Sequence, residues 1–149
     1  MRAVVQRVRR ARVEVGSEIT GSIERGLVAF VGAAKGDTEA DLAYAVNKVV
    51  GLRVFADKTG KMSQSLADIS GQLLVISQFT LFGDVRRGLR PGFDDAMDPI
   101  AAEGLYDQFV EQARARNILV ATGRFRADMN VFVENEGPVT ILIDSRRTF

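Results

Sequence analysis

Apolar and polar residues alternate near the start of the chain and give way to continuous apolar runs further on. Residues 2–8 and 11–15 alternate, which predicts antiparallel strands, with Gly16 and Gly21 marking turns. The run GLVAFVGA, 26–33, is apolar throughout and predicts a buried central strand. The remaining predicted strands cover 52–57, 71–82, 118–122 and, as a pair joined near residues 135–138, 129–144.

Two segments have the period of amphipathic helices. The first begins at Thr38, and Asp41 three residues later predicts a capping box. The second begins at Asp98-Pro99, a cap residue followed by proline at the first helical position. Strands with two inserted helices predict one α+β domain of mostly antiparallel sheet over residues 1–149. The predicted apolar faces consist of Leu42, Val46 and Val49 in the first helix and Leu105, Phe109 and Ala113 in the second.

Composition limits the available chemistry more than it limits the fold. The chain has no cysteine, which excludes disulfides and thiolate zinc sites, and no apolar run approaches the roughly 20 residues that span a bilayer. We therefore expect a cytoplasmic protein. The chain also has no histidine, the commonest general base and metal ligand. We expect no metal and no cofactor, and any hydrolysis must use hydroxyls, carboxylates, backbone amides or the substrate itself.

The arginines are clustered although the net charge is only +1. One cluster lies in the first strands, a second in the loop 83–99, and a third at the end of the chain. They fit two interpretations: solvated surfaces, or a patch that binds phosphates. The loop also carries glycines and prolines, and its length favours a functional role.

The stretch LLVISQFTLFGD, 73–84, begins as a buried strand and then becomes polar at Ser77, Gln78 and Thr80. The plain interpretation is a sheet edge that ends in a polar loop. The alternative is a strand end that lines a pocket, where the backbone amides of Phe79 and Thr80 stabilise an oxyanion. Thr80 could also act as a nucleophile, but a hydroxyl needs an adjacent base.

Two other motifs favour plain structural interpretations. GKMSQSL, 60–66, is close to the KMSKS loop of class I aminoacyl-tRNA synthetases, but Gln64 replaces its second lysine and the chain has no histidine. GLVAFVGAAKG, 26–36, is rich in glycine without the spacing of either phosphate-binding fingerprint. We interpret the first as a turn and the second as a strand followed by a turn.

Several segments in order resemble the D-aminoacyl-tRNA deacylases of the bacterial and eukaryotic type. They include MRAVVQRV, KGDTEADL, LRVFAD with GKMSQSL, LLVISQFTL, RRGLRPGF, TGRFRADM and NEGPVT, and they cover essentially the whole chain. The resemblance implies a barrel-like fold with two main helices and a homodimer whose active sites lie at the subunit interface. It also implies hydrolysis of the ester that joins a D-amino acid, or glycine, to the terminal adenosine of tRNA.

The resemblance implies a role for each site residue. Ser77, Gln78, Phe79 and Thr80 form one wall of the pocket, and the Gly137-Pro138 pair, in cis form, reaches in from the partner subunit and excludes L side chains. The neighbouring ribose 2′-hydroxyl of the tRNA orients or activates the attacking water. In the same family, Met129 and Phe125 are candidates to hold the adenosine, and Arg86, Arg87 and Arg90 are candidates to contact the acceptor stem.

Three positions depart from the family pattern: Glu136 stands where aspartate is expected, Leu89 replaces a commonly basic residue, and Arg126 stands where small residues are usual. Two other hypotheses stay open. The chain could be a non-catalytic RNA-binding module of the same fold, or a general esterase that cleaves simple esters.

Overall fold

The computed structural model describes all 149 residues, and its main feature is a curved, mixed sheet with two helices. Strand β1 is central, because it pairs antiparallel with β2, β3 and β8. Strands β6 and β7 extend the sheet beyond β3 in parallel. The elements are β1 Arg2–Val15, β2 Glu18–Ile23, β3 Gly26–Gly32, α1 Glu39–Gly51, β4 Phe55–Ala56, β5 Met62–Gln64, β6 Gln72–Ser77, α2 Pro99–Arg114, β7 Leu119–Thr122 and β8 Asn130–Asp144.

The predicted α+β class is confirmed, with the correction that the sheet is mixed. Its parallel pairs arise because the connection from β3 to β6 contains α1 and the connection from β6 to β7 contains α2, so each strand returns in the same direction. Both helix starts are also confirmed. Thr38 and Asp41 form the capping box, and the Asp98 carboxylate accepts a hydrogen bond from the amide of Ile100.

Several predicted boundaries were wrong. The segments 2–8 and 11–15 form one continuous strand, β1, and Gly21 lies inside β2 rather than in a turn. A Cβ at Gly21 would lie 2.3 Å from the carbonyl oxygen of Thr122, so glycine is needed there for the close approach of two strands. The predicted strand 52–57 is reduced to β4, and 129–144 forms one strand rather than two.

The sheet carries apolar residues on both faces, as expected for a barrel-like sheet that is covered by helices on the outside. The larger core lies between the helices and one face, where Leu42, Phe55 and Phe109 are fully buried. The smaller core lies on the other face and contains Val13 and Leu74. Neither helix has the length and apolar character needed to cross a lipid bilayer.

Candidate functional site

The predicted strand 71–82 ends at Ser77, five positions earlier than the sequence pattern indicated. The residues Phe79–Phe82 form a short 3₁₀ helix instead, called the 79–82 turn below. The chain leaves the sheet at Gln78, whose amide donates to the carbonyl of Val31 at 2.8 Å. The turn closes when the Leu81 amide donates to the Gln78 carbonyl at 3.3 Å. The apolar Leu81 and Phe82 therefore belong to a turn, which explains why hydrophobicity alone overextended the strand.

Close packing at Gly32 fixes the exit of the chain from the sheet. A Cβ on Gly32 would lie 2.7 Å from the carbonyl oxygen of Gln78 and 3.2 Å from the ring of Phe82. A side chain at this position would thus push the 79–82 turn away from β3. The ring of Phe82 is buried, and the Arg2 guanidinium lies over it at 4.7 Å from the ring centre. Arg2 also donates to the Leu81 carbonyl at 3.0 Å.

The 79–82 turn borders a cavity of about 770 Å³. This volume lies in the range of small-molecule binding sites. The loop before α2 covers one side, where Phe93 packs edge-on against Phe79 with ring centres 5.0 Å apart. Helix α2 supplies the opposite wall through Ala102 and Tyr106. From the predicted site, the residues that line this cavity are Ser77, Gln78, Phe79, Phe125 and Met129.

Thr80 lies in the turn but is not among the residues that line the cavity. Its hydroxyl accepts a hydrogen bond from the side-chain amide of Gln78. No basic side chain contacts it, so the structure gives this hydroxyl no general base. The backbone has a different potential, because the first amides of a helical turn have no carbonyl partner within that turn. The amides of Phe79 and Thr80 occupy this position.

The lining of the cavity contains no histidine, and two of its ionisable side chains, Tyr106 and Asp98, are engaged in hydrogen bonds. Burial raises the pKa of Tyr106, and its hydroxyl donates to the Val75 carbonyl at 2.9 Å. It therefore stays neutral and supports the cavity floor. The Asp98 carboxylate is engaged as the cap of α2. The other charged residues of the lining are Lys35, Arg126 and Asp128.

The Gly137-Pro138 peptide bond is cis, as the family resemblance implied. Both residues are exposed and lie where the pairing of β8 with β1 shifts register, opposite Arg7. Gly137 has a φ of +129°, which L side chains rarely adopt. Two side chains hold this bulge. Arg7 donates to the carbonyls of Glu136 at 3.0 Å and Val54 at 2.5 Å, and the Asn135 carboxamide oxygen accepts from the Val139 amide at 2.9 Å.

The bulge and the cavity do not meet within one chain. Ser77 pairs with Val31 of β3, and Val31 pairs with Ala3 of β1, so Ser77 lies at the height of Ala3 along β1. The bulge lies opposite Arg7 of the same strand. At roughly 3.4 Å per residue, about 14 Å along β1 separates the two. Neither Gly137 nor Pro138 lines the cavity.

The predicted nucleic-acid contacts lie on the exposed loop that leads from the turn to α2. Arg86 is paired with Asp84 at 2.7 Å, and this guanidinium holds the pKa of Asp84 well below its ordinary value. Arg87 and Arg90 are exposed and form no ion pair. The two ends of the loop are joined by the backbone hydrogen bonds between Asp84 and Gly92.

Sequence reasoning missed the residues that cover the cavity. Phe93 and Met97 come from the loop before α2, and Ala102 and Tyr106 come from its first turns. The amphipathic pattern of α2 predicted an apolar face but could not show that part of this face borders a cavity. The KMS segment forms β5 and pairs with β4. Asp57 accepts hydrogen bonds from Thr59, Lys61 and Ser63, which closes the turn before this segment. The segment 60–66 has a structural role, as expected, but it is mainly the strand β5 and not a turn.

Comparison with known proteins identifies the family of the chain. The family model for D-Tyr-tRNA(Tyr) deacylase matches residues 4–144. A protein named D-aminoacyl-tRNA deacylase from Sorangium cellulosum is 69% identical over the full length of both chains.

Two solved structures share the fold. One, named c-Myc DNA Unwinding Element Binding Protein, is 43% identical with a TM-score of 0.91, covering 97% of this chain and 98% of the other. The second, described as a probable eukaryotic D-amino acid tRNA deacylase, has a TM-score of 0.84 at 19% identity, covering 96% and 98%. The match of the family model over residues 4–144 and the full-length relative lead to one conclusion: this chain belongs to the D-Tyr-tRNA(Tyr) deacylase family.

Proposed function

We propose that this chain hydrolyses the ester bond between a D-amino acid and the terminal adenosine of tRNA. The observation that carries the proposal is a cavity bordered by Ser77, Gln78 and Phe79, in a chain whose family is that of D-Tyr-tRNA(Tyr) deacylases. The cavity offers backbone donors and apolar walls, and its lining contains no histidine. This composition suits a reaction in which the substrate supplies part of the chemistry.

The amides of Phe79 and Thr80 are the proposed oxyanion donors. The oxygen of a water molecule adds to the ester carbonyl carbon as that water loses a proton, and the former carbonyl oxygen becomes the negatively charged oxygen of a tetrahedral intermediate. When the intermediate collapses, the carbonyl forms again, the bond to the ribose oxygen breaks, and that oxygen takes up the proton that the water lost. The products are a free D-amino acid and tRNA. A preorganised donor of this kind typically contributes about 3–4 kcal/mol to the stabilisation of the transition state.

The ribose 2′-hydroxyl next to the ester is the proposed group that orients or activates the water. Two observations support substrate assistance over attack by Thr80. The Thr80 hydroxyl is bonded to Gln78 and lies outside the cavity lining. In addition, the chain contains no histidine that could take its proton. Phe125 and Met129, which also line the cavity, are proposed to hold the adenosine.

Selection for the D configuration is proposed to come from a second copy of the chain. Gly137 and Pro138 are exposed, and about 14 Å along β1 separates them from the level of Ser77. Gly137 and Pro138 of one subunit could therefore border only the cavity of a partner subunit. Strand β8 supports a homodimer, since no strand pairs with its outer edge and it exposes Leu142 by 59%. Backbone carbonyls placed beside the substrate α-carbon would exclude an L side chain, whereas glycine would be accepted.

The exposed Arg87 and Arg90 are proposed to contact the phosphates of the tRNA acceptor stem. Arg86 is the weaker candidate of the three, because its charge is already paired with that of Asp84. A long, salt-dependent electrostatic contact of this type positions the nucleic acid and carries little sequence information.

Release of free tyrosine from D-tyrosyl-tRNA by the purified protein tests the proposal. We expect release from the D ester and from glycyl-tRNA, and none from the L ester. We expect no release from a D ester on a terminal 2′-deoxyadenosine. Cleavage of simple esters that lack the 2′-hydroxyl would instead support a general esterase.

Thr80→Ala separates the two chemical routes. Substrate assistance predicts that kcat stays within a few-fold of the unsubstituted protein, because the side chain takes no part in the bond changes. Complete loss of turnover with unchanged binding of a substrate analogue would favour Thr80 as the nucleophile.

Mixing two impaired variants tests the shared active site. Gly32→Ala displaces the cavity wall and should lower turnover, and Gly137→Ala introduces a side chain at a φ of +129° and should lower the ratio of D to L deacylation. If each site takes one part from each subunit, co-refolded mixtures should deacylate the D ester more selectively than Gly137→Ala alone, because a heterodimer has one intact site. A mixture no more selective than Gly137→Ala alone, or a monomer in light scattering, would contradict the dimer.

The alternative is a non-catalytic module that binds nucleic acid. The 43% identical structure carries the name of a DNA-binding protein, which gives this alternative a specific motivation. Tight binding of tRNA without release of any amino acid at high protein concentration would favour it.

A further inference from the structure

Arg126 has a backbone conformation that ordinarily favours glycine. It is the third residue of a four-residue turn, closed by the Ala127 amide that donates to the Arg124 carbonyl at 3.2 Å. Its φ is +59°, which an L side chain adopts only at a cost. Its neighbours do not explain an arginine here, because the side chain is exposed and makes no hydrogen bond or ion pair within the chain. A residue with a strained backbone and no structural partner suggests a role in binding.

The position of Arg126 gives that role a location. Arg126 lines the same cavity as Ser77, Gln78 and Phe79. Arg124, two residues earlier, is different, because its guanidinium is paired with Glu18 at 2.8 Å. The other cations of the lining are Lys35 and the Met1 ammonium, which is paired with Asp37, and its carboxylates are Asp98, engaged as a helix cap, and Asp128. Arg126 forms an ion pair with neither carboxylate and therefore offers an unpaired planar cation at the border of the cavity.

We propose that Arg126 binds the backbone phosphate nearest to the terminal nucleoside whose ester lies in the cavity. This inference rests on the proposed function, since it assumes that a nucleic-acid 3′ end occupies the cavity. A nucleoside ester inside the cavity leaves its 5′ phosphate towards the border, and a guanidinium suits a phosphate through two parallel hydrogen bonds. Arg126 would then fix how deeply the nucleic acid enters.

The variant Arg126→Gly provides a direct test, because glycine accepts the same φ and the fold should be kept. The measured quantity is the affinity for a short unacylated RNA hairpin with a single-stranded 3′ end terminating in adenosine, compared with free adenosine. We expect about tenfold weaker binding of the RNA, as for loss of one charge-assisted hydrogen-bonded contact. The slope of log affinity against log salt should fall by about 1. Binding of adenosine, which has no phosphate, should stay unchanged.

Two matched variants sharpen the result. Arg124→Ala removes a neighbouring but paired charge and should leave RNA affinity nearly unchanged. Arg126→Lys keeps the charge and should restore the salt slope while recovering only part of the affinity. Equal RNA affinity in Arg126→Gly and the unsubstituted protein would overturn the proposal. So would equal losses for RNA and adenosine, or an equal loss in Arg124→Ala.

These measurements do not depend on turnover, so they separate the two proposals. If the protein deacylates tRNA, Arg126→Gly should raise KM for D-aminoacyl-tRNA and leave kcat unchanged. If it does not, a selective loss of RNA binding still supports the phosphate contact while the proposed reaction fails.

Discussion

The 79–82 turn and the Gly137-Pro138 bulge both interrupt the regular sheet over a few residues, but they are held in different ways. Main-chain packing fixes the turn, through the Gln78 amide on Val31 and the close approach of Gly32. Side chains fix the bulge, chiefly Arg7 and Asn135. A wall built on packed backbone tolerates changes to its own side chains, whereas a bulge held by side chains depends on those residues.

The substitution Gly32→Ala should have the largest effect, because it attacks the backbone support of the turn. The added Cβ would lie 2.7 Å from the Gln78 carbonyl oxygen, and the turn must shift to relieve the contact. A displacement near 1 Å at a catalytic group costs about 100-fold in rate. Steady-state kinetics on D-aminoacyl-tRNA measures this loss, and thermal unfolding shows whether the fold survives.

Gly104→Ala is the control for Gly32→Ala. It lies in α2, with no atom within 4 Å of the new Cβ. Replacing glycine by alanine inside a helix should stabilise the protein by roughly 0.5–1 kcal/mol without changing kcat. If Gly32→Ala kept full activity, the turn would not depend on backbone packing, and the comparison would fail.

Arg7→Met should be the next largest perturbation and should act on the bulge alone. It removes the charged donors to Glu136 and Val54, and each such bond contributes about 1.5–3 kcal/mol. We expect lower stability and a fall in the ratio of D to L deacylation, because the bulge loses its fixed position. Activity on the D ester should fall less than this ratio. Equal losses on both esters would show that Arg7 supports the fold and not selection.

The sequence pattern predicted the elements better than their junctions. Buried runs such as 26–33 and the caps at Thr38 and Asp98 are set by local chemistry, so periodicity and capping rules found them. The 79–82 turn was missed because Leu81 and Phe82 continue the apolar pattern while the chain turns. The parallel pairing of β3 with β6 depends on the path of α1, which no local pattern encodes.

The candidate site was predicted mainly through the family resemblance. SQFT and Gly-Pro can be read from the sequence, but the covering residues Phe93 and Tyr106 cannot, because their role depends on how the loop and α2 pack over the sheet. The support residues Arg2 and Arg7 were likewise hidden among the arginines of β1. In the sequence they look like the solvent-exposed arginines of a strand, and only the structure shows which groups they contact.

Arg2→Met should have a smaller effect than Arg7→Met, which sharpens the comparison. Arg2 contacts the turn through Leu81 and Phe82, but the backbone already holds the turn in place. We expect a loss of kcat of only a few-fold and normal discrimination between D and L esters. The two variants are matched, because both remove an arginine of β1 that donates to a backbone carbonyl. A larger loss of kcat in Arg2→Met would mean that the turn, too, depends on a side chain.

Acid should weaken the Arg2 contact before it affects the Arg7 contact, and this is the smallest predicted effect. Arg2 forms an ion pair with Asp144. Burial alone would raise the pKa of the Asp144 carboxyl, but the hydrogen bonds that it accepts from Thr148 and from the Arg146 amide have the larger combined effect, so its pKa is lowered. A lowered folded-state pKa stabilises the protein above the unfolded value of about 3.9, and this stability is lost as the pH falls below it.

Chemical unfolding between pH 6 and pH 3 measures this linkage. Asp144→Asn should lose less stability over that interval than the unsubstituted protein. Arg7→Met should show the same pH dependence as the unsubstituted protein, because the strongest contacts of Arg7 are to backbone carbonyls, which do not titrate. If Asp144→Asn and the unsubstituted protein showed parallel pH profiles, Asp144 would not stabilise the turn, and backbone packing alone would hold it.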